Sequence, residues 1–83
     1  MASVVKTYYD GGQLKQLYFV NNGKIEGEYT EYFENGKVFG RCYYIDGKIE
    51  GEYKTYFQNG LPWETYIFVN GIAQNKIWFI YSL

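Results

Sequence analysis

Paired carboxylates are the residues of this chain whose spacing comes closest to a reactive arrangement. Glu26 and Glu28 are two positions apart, as are Glu50 and Glu52, so each pair would lie on one face of a β-strand. Two carboxylates on one face can act as the acid and base of glycoside hydrolysis. That chemistry needs a site that excludes water, whereas Arg41 and an open sheet predict a solvated charged surface here.

Other side chains that carry enzyme chemistry are missing or isolated. The chain has no His, one Cys and no glycine-rich loop preceding a helix. Nucleophile–base pairs, zinc sites and nucleotide cradles therefore lack parts. We expect no enzyme, no cofactor and neither catalytic nor metal-binding residues. Cys42 is interpreted as a small apolar residue of the sheet, since nothing near it supplies the electropositive setting of a redox thiol.

Length and composition favour a small β protein. The 83 residues are 47% hydrophobic and 23% aromatic, with 10 Gly and one Pro, which predicts one folded domain over residues 1–83. The net charge of -1 provides no field for phosphate backbones or anionic lipids, so we expect neither nucleic acid nor membrane as a partner. A single Cys and the lack of a signal-peptide-like or membrane-spanning run favour a cytoplasmic location.

One segment of the chain is repeated almost letter for letter. GKIEGEYTEYFENG at 23–36 returns as GKIEGEYKTYFQNG at 47–60, a period of 24 residues (47 minus 23). Six dipeptides predict two-residue hairpin turns of type I′: Gly11-Gly12, Asn22-Gly23, Asn35-Gly36, Asp46-Gly47, Asn59-Gly60 and Asn70-Gly71. The prediction is an all-β fold without helix, a seven-stranded antiparallel meander of consecutive hairpins in a single curved sheet, with about three units.

Counting outward from two-residue turns predicts the strand register. Strand glycines would each have an aromatic neighbour whose ring covers the gap. The predicted pairs are Phe33 with Val38, Tyr29 with Cys42, Gly27 with Tyr44, Tyr18 with Gly27, Tyr53 with Gly40, Phe68 with Gly51, and Arg41 with Glu52.

The same counting sorts the strand residues onto two faces of the sheet. Face one is nearly all apolar or aromatic, with Glu31 and Glu64 as exceptions, and includes Tyr18, Tyr29, Val38, Cys42, Tyr44, Tyr53, Tyr66 and Phe68. Face two is charged through its middle and carries aromatic residues toward one rim: Tyr8, Tyr32, Phe39, Tyr56, Trp63 and Trp78.

These repeats resemble the MORN repeat, in the variant form common in bacterial and giant-virus proteins. The matching segments are 8–13, 32–37 and 56–61, with Gly-Glu-Tyr at 27–29 and 51–53. The resemblance implies an elongated, curved single sheet that serves as a scaffold, dimerisation surface or partner-binding module without catalysis. Some similar bacterial proteins are described as antitoxins. The chain departs from the pattern at Val5 and Asn75, which is typical of capping units.

A single sheet leaves face one in need of a cover. Curling of the sheet, a second copy of the chain or a different protein would supply one. The C-terminal strand at 76–81 is apolar on both faces, so we expect its edge to pair with a partner chain, most simply in a homodimer. The predicted partner-binding residues are Tyr32, Phe39, Tyr56, Trp63, Ile77, Trp78, Phe79, Ile80 and Tyr81.

Three functions are consistent with this pattern. The first is a non-enzymatic interaction module that binds a protein of unknown identity or itself. The second is a small antitoxin, or a phage-encoded or virus-encoded inhibitor, that neutralises a larger protein. The third is a small-ligand or carbohydrate-binding sheet in which Glu31 and Glu64 would act as polar anchors.

Overall fold

A computed structural model describes residues 2–78, and the side chains of residues 2–74. Over this range the chain forms one antiparallel sheet in the order β1-β2-β3-β4-β6-β7-β8, with β5 paired to β4. The strands are β1 Ala2–Tyr8, β2 Leu14–Asn21, β3 Lys24–Tyr32, β4 Val38–Ile45, β5 Lys48–Ile49, β6 Gly51–Tyr56, β7 Pro62–Val69 and β8 Ile72–Trp78.

The predicted all-β hairpin meander is confirmed. The described residues contain no helix, and hence none that could cross a bilayer. Within the described range β1 and β8 do not pair, so the sheet is not closed. The structure has eight strands rather than the predicted seven only because the strand after Asp46-Gly47 is interrupted at Glu50, which divides it into β5 and β6.

Three of the six turns have the predicted type I′ geometry. Asn22, Asp46 and Asn70 have φ of 52°, 54° and 53°, and the glycine after each has φ of 78° to 82°. Both central residues of a type I′ turn need positive φ, which Asn, Asp and Gly tolerate better than other residues. These two-residue turns lie along one rim of the sheet.

The turns of the opposite rim are three-residue loops, so the prediction of two-residue turns at Gly11-Gly12, Asn35-Gly36 and Asn59-Gly60 is wrong. In the middle loop, the Phe33 amide donates to the Lys37 carbonyl at 2.8 Å and the Gly36 amide donates to the Phe33 carbonyl at 2.9 Å. Gly36 has φ of 89° and Asn35 does not have positive φ. A type I turn followed by a left-handed glycine has this pattern and places one extra residue in the second strand.

A bulge in the strand after each of these loops also changes the faces of several side chains. In β4, Tyr32 pairs with Val38 and Glu31 with Gly40, so Phe39 is an extra residue and the predicted pair Phe33–Val38 is wrong. Phe39 and Trp63 line a depression together with Tyr53, and they therefore lie on face one rather than face two. Val38 was predicted on face one, but it lies with Arg41 and Tyr56 on face two.

A second irregularity occurs at the glycines inside the strands. Tyr18 pairs with Tyr29 while Val20 pairs with Ile25, so β3 has two extra residues around Gly27. The predicted pair Tyr18–Gly27 is wrong, whereas Tyr29–Cys42 and Gly27–Tyr44 are confirmed.

The next repeat has the same irregularity at Gly51. Arg41 pairs with Lys54 and Gly40 with Thr55, so the predicted pairs Arg41–Glu52 and Tyr53–Gly40 are wrong, while Gly51–Phe68 is confirmed.

Aromatic cover explains only one of the interior glycines. A β-carbon added at Gly27 or Gly51 would meet no atom within 4 Å, so the predicted ring cover is wrong there. These two glycines instead have φ of 95° and 88°, a conformation that L-residues rarely adopt. At Gly40 the cover is confirmed, because an added β-carbon would lie 2.9 Å from Cε1 of Tyr53.

The sheet is one layer thick, and its core is a row of side chains rather than an enclosed volume. The molecule measures 47 × 35 × 14 Å. Among the described hydrophobic residues only Cys42 is buried, at 4% exposure. The accessible surface of 5766 Å² exceeds the value of about 5,200 Å² that size scaling gives for this mass.

Candidate functional site

A row of tyrosines runs across face one. Pairing of β2 with β3 brings the rings of Tyr18 and Tyr29 to 5.3 Å between centroids, and Tyr44 follows at 5.5 Å from Tyr29. Farther along, Tyr53 lies 6.3 Å from Tyr66. Each such pair adds about 0.5–1.5 kcal/mol beyond the area it buries. The row therefore holds neighbouring strands together, and its tyrosines are half-buried rather than enclosed.

A second row is built by the bulge residues, the extra residues near the start of the strand that follows each three-residue loop. Phe39 packs on Phe33 at 5.1 Å between ring centroids, and Trp63 packs on Phe57 at 5.4 Å. In the first repeat the equivalent residue is a lysine, Lys15, whose Nζ lies 5.5 Å from the ring centroid of Tyr9. In each repeat the extra residue contacts the ring six positions earlier, so this row follows the rim of the three-residue loops.

A polar strip lies between the two rows. Strand pairing links Thr7 to Gln16, Gln16 to Glu31, Glu31 to Gly40 and Gly40 to Thr55. The Thr55 hydroxyl continues the strip into β7, donating to the backbone carbonyl of Glu64 and accepting from its amide, each at 3.2 Å.

Tyrosine hydroxyls form hydrogen bonds with side chains of this strip. Gln16 Nε2 donates to the Tyr29 hydroxyl at 2.6 Å. The Tyr53 hydroxyl donates to Glu31 Oε1 at 3.3 Å, and a Tyr66–Glu64 hydrogen bond of 2.8 Å is formed in the same way. Face one is therefore amphipathic, with aromatic flanks and a polar centre that carries two carboxylates.

Burial controls the titration of the phenols and the thiol on this face. It raises the pKa of Tyr29, Tyr44 and Tyr53, and the negative charge of Glu31 adds to the shift in each case. Burial, and then Glu31, raises the pKa of the Cys42 thiol to about 11. The phenols therefore stay protonated at neutral pH as neutral hydrogen-bond donors, and the thiol is unreactive.

The two rows and the strip enclose an open depression of about 420 Å³ in the second half of face one. Its lining residues are Phe39, Tyr53, Thr55, Trp63, Glu64, Tyr66 and Phe68. Glu64 is only 6% exposed and is the one charged group among the described side chains of this lining. The depression therefore combines aromatic side chains with one buried carboxylate that is hydrogen-bonded within the chain.

The structure separates the predicted partner-binding residues. Phe39 and Trp63 lie in the depression on face one, whereas Tyr56 lies on face two beside Arg41. Tyr32 is also on face two, because it follows Glu31 in β3. The predicted cluster on face two is thus wrong, since each three-residue loop and the bulge that follows it place Phe39 and Trp63 on face one.

The remaining predicted residues belong to the C-terminal strand. In the backbone register Trp78 stands opposite Glu64 and Ile77 stands opposite Thr65. The side chains of Ile77 and Trp78, and all of Phe79, Ile80 and Tyr81, lie outside the described residues.

Two of the four paired carboxylates support turns. Glu26 Oε1 accepts the Asp46 amide at 2.8 Å, and the carboxylate of Glu50 accepts the Asn70 amide at 2.7 Å. Each bond joins one repeat to the type I′ turn of the next, as does the Lys24–Asp46 ion pair of 3.0 Å in the first of these turns. Among the described residues no cluster of three or more His, Cys, Asp or Glu could hold a metal ion.

Taken together, the strand order, the alternating turns and the exposed ring surface define a β-hairpin repeat protein. The model of the MORN repeat variant matches residues 4–22, 25–46 and 49–70, and the chain belongs to this family. Each matched segment contains one hairpin with its three-residue loop, and the matches meet at type I′ turns. MORN repeats are non-catalytic modules that generally mediate contacts with proteins or membranes. Searches of curated proteins and of solved structures each found no match.

Proposed function

We propose that this chain is a non-enzymatic, cytoplasmic protein-interaction module whose binding surface is face one. The observation that carries the proposal is the exposure of its core. The rings of face one are covered by their neighbours in a single layer, and Cys42 is the only buried hydrophobic residue of the described range. Rows of partly exposed aromatic side chains of this kind are typical of a site that contacts another protein.

Continuity of the rings favours face one over face two. On face one, ring contacts follow one another from Tyr18 to Tyr44 and again from Tyr53 to Phe68. Face two also exposes aromatic residues, such as Tyr43 at 50%, but charged groups interrupt them. Ion pairs there include Arg41 with Glu28 at 3.9 Å. Removing such charges from water opposes binding, so face two is the weaker docking surface.

Trp63 is the residue on which the test depends. It is 36% exposed in the depression of face one, and tryptophans in such positions dominate many interfaces. We expect Trp63→Ser to weaken binding by about 30-fold, equivalent to about 2 kcal/mol. Tyr43→Ser on face two removes a ring of greater exposure and is the matched control. Light scattering measures self-association, and cross-linking with mass spectrometry identifies another protein.

Two results would contradict the proposal. The first is a strictly monomeric chain in light scattering together with no specific protein in the cross-linked material. The second is binding that Tyr43→Ser abolishes and Trp63→Ser leaves intact, which would place the surface on face two.

The predicted C-terminal edge is a second contact of the proposed module. Residues 76–81 combine apolar side chains on both faces with no proline, and such an edge pairs readily with another strand. Ile80→Lys places a charge on this edge and should prevent a homodimer built through it. An unchanged dimer mass for this variant would restrict the interface to face one.

A narrower form of the proposal is that the partner is a larger protein which the chain neutralises, as an antitoxin or inhibitor does. A chain of 83 residues with an extended ring surface suits that role. Co-expression with the product of an adjacent gene tests it. The native chain should relieve growth inhibition by that product, and Trp63→Ser should not. Equal growth inhibition with and without the native chain would contradict the antitoxin or inhibitor role, while the proposal of a protein-interaction module would stand.

A further inference from the structure

We infer that Asn22 is a modification site, at which the chain deamidates without an enzyme. In an Asn-Gly dipeptide the glycine amide nitrogen loses its proton to solvent and attacks Cγ of the asparagine. Nδ2 takes up a proton and leaves as ammonia, and a five-membered succinimide ring remains. One water molecule then opens the ring at either carbonyl, which gives aspartate or isoaspartate. The chain has four such dipeptides, at 22–23, 35–36, 59–60 and 70–71, and the structure places them in different settings.

Backbone conformation favours the two dipeptides of the type I′ rim. Ring closure eclipses Cβ of the asparagine with the glycine nitrogen, which fixes ψ near the value of about −120° at the first central position of a type II′ turn. That position also needs φ of about 60°, and Asn22 and Asn70 already have φ of 52° and 53°. Type II′ turns connect hairpin strands as type I′ turns do. Rotation of one peptide plane, which the following glycine tolerates, therefore admits the ring without moving the strands.

The dipeptides of the three-residue loops are held against this reaction. The side chain of Asn35 is fixed at both ends, since Nδ2 donates to the Gln58 carbonyl at 3.0 Å and Oδ1 accepts the Lys37 amide at 2.9 Å. Asn59 Oδ1 accepts the Leu61 amide at 3.0 Å in the same way. The glycine amides of both loops donate to a carbonyl three positions earlier, at 2.9 and 2.8 Å. Both the attacking nitrogen and the attacked side chain are thus engaged, and neither asparagine has positive φ.

Asn70 has the favourable φ but is held by the preceding repeat. The Glu50 carboxylate accepts the Asn70 amide at 2.7 Å, and the Gly71 amide donates to the Ile49 carbonyl at 3.0 Å. Rotation of the peptide plane between Asn70 and Gly71 must break the second bond, and the first restricts the turn. These bonds add to the barrier for ring closure at this site.

Asn22 lacks the carboxylate that holds the later turns. The position equivalent to Glu26 and Glu50 is Ala2, 24 residues before Glu26. The side chain of Asn22 is exposed and has no hydrogen-bond partner among the described residues. Asn22 therefore combines the backbone conformation that suits the ring with a side chain that is able to rotate onto the glycine nitrogen.

The first type I′ turn accepts one product and is altered by the other. Asp46 has φ of 54° at the equivalent position of the next repeat, so aspartate at position 22 keeps the turn. Isoaspartate adds one atom to the backbone of a two-residue connection whose ends, Asn21 and Lys24, are paired. Formation of isoaspartate thus weakens the joint between the hairpin of β1 and β2 and the rest of the sheet.

Peptide mapping provides the test. The folded chain is incubated in neutral buffer, and digests taken over time are analysed by tandem mass spectrometry, which locates aspartate and isoaspartate. We expect Asn22 to deamidate about tenfold faster than Asn70, with Asn35 and Asn59 slower still, because the hydrogen bonds that must break raise the barrier. In concentrated urea the four sites should react at similar rates, since each is an Asn-Gly dipeptide without its folded contacts.

Two variants exchange the carboxylate between the sites. Ala2→Glu places it where Glu26 and Glu50 stand in the later repeats and should slow deamidation of Asn22 by about fivefold. Glu50→Ala removes it from Asn70 and should accelerate that site by a similar factor. Glu28→Ala is the matched control, because Glu28 forms an ion pair with Arg41 on face two and should change neither rate.

Three outcomes would overturn the inference or one of its parts. Fastest reaction at Asn35 or Asn59, or equal rates at all four sites of the folded chain, overturns the site. Reaction at Asn70 as fast as at Asn22 does the same. If Asn22 reacts fastest but neither Ala2→Glu nor Glu50→Ala changes a rate, the protective role of the carboxylate is wrong.

Discussion

Replacing Gly40 with alanine adds a single methyl group beneath the ring of Tyr53. The new β-carbon would lie 2.9 Å from Cε1 and 3.2 Å from the hydroxyl oxygen, closer than van der Waals contact allows. Gly40 is buried and its φ is outside the left-handed region, so the clash rather than backbone strain determines the effect. The ring must move, which weakens its 3.3 Å hydrogen bond to Glu31.

The size of the effect follows from two opposing contributions. Overpacking costs about 1–3 kcal/mol, and the smaller entropy of an unfolded alanine returns about 0.5–1 kcal/mol. We expect a net loss of about 1–2 kcal/mol in the free energy of unfolding. At about 4–8 °C per kcal/mol for a chain of this size, the Tm should fall by roughly 5–15 °C.

A double-mutant cycle with Tyr53→Ala isolates the ring. In that background Gly40→Ala should be neutral or stabilising, as measured by urea denaturation followed by circular dichroism. An equal cost in both backgrounds would refute the idea that the ring of Tyr53 occupies the space over Gly40. Gly27→Ala is the control, because it meets open space but has φ of 95°, and its cost of about 1–2 kcal/mol should not depend on Tyr53.

Three further predictions concern the turns and the thiol. Glu50→Ala removes the acceptor of the Asn70 amide and should lower the free energy of unfolding by about 1 kcal/mol in urea denaturation. Glu50→Gln keeps an acceptor oxygen and should lose less stability. No loss in Glu50→Ala would show that water replaces the carboxylate. Asp46→Ala puts alanine at φ of 54° and should cost about 1–2 kcal/mol, and a smaller change would indicate that the turn adopts another type. Burial raises the pKa of the Cys42 thiol from its ordinary 9.0 to about 11, so the unfolded thiol loses its proton first and the free energy of unfolding should fall as pH rises through that interval. An equally steep fall in Cys42→Ala would assign the effect to the tyrosines instead.

The sequence predicted the strands and the type I′ rim, because Asn, Asp and Gly tolerate the positive φ that both central residues of such a turn need. It did not distinguish Asn35-Gly36 from Asn22-Gly23, which are the same dipeptide. In the structure the side chain of Asn35 accepts the Lys37 amide at 2.9 Å and stabilises a longer loop. Whether an Asn-Gly dipeptide forms a two-residue or a three-residue loop depends on how the flanking strands pair, and the local sequence does not determine that pairing.

One signal could have identified the longer loops. If these turns had two residues, Phe39 and Trp63 would lie on the charged face, close to the turns. One added residue moves both to the aromatic face, where each meets a ring of its own repeat. The candidate site was missed for the same reason, since its lining combines these two residues with Glu64 and Tyr66, which the simple count places on opposite faces.

The hydrogen bonds that join each repeat to the turn of the next determine how the molecule could change its size. The Gly47 amide donates to Ile25 at 3.1 Å and the Gly71 amide to Ile49 at 3.0 Å, so the joint between units is the same each time it occurs. A duplicated copy of residues 25–48 would meet matching partners on both sides. It would lengthen the ribbon by two strand spacings, about 10 Å. Adding or removing whole repeats would therefore change the length of the sheet in fixed steps, without changing the contacts inside each repeat.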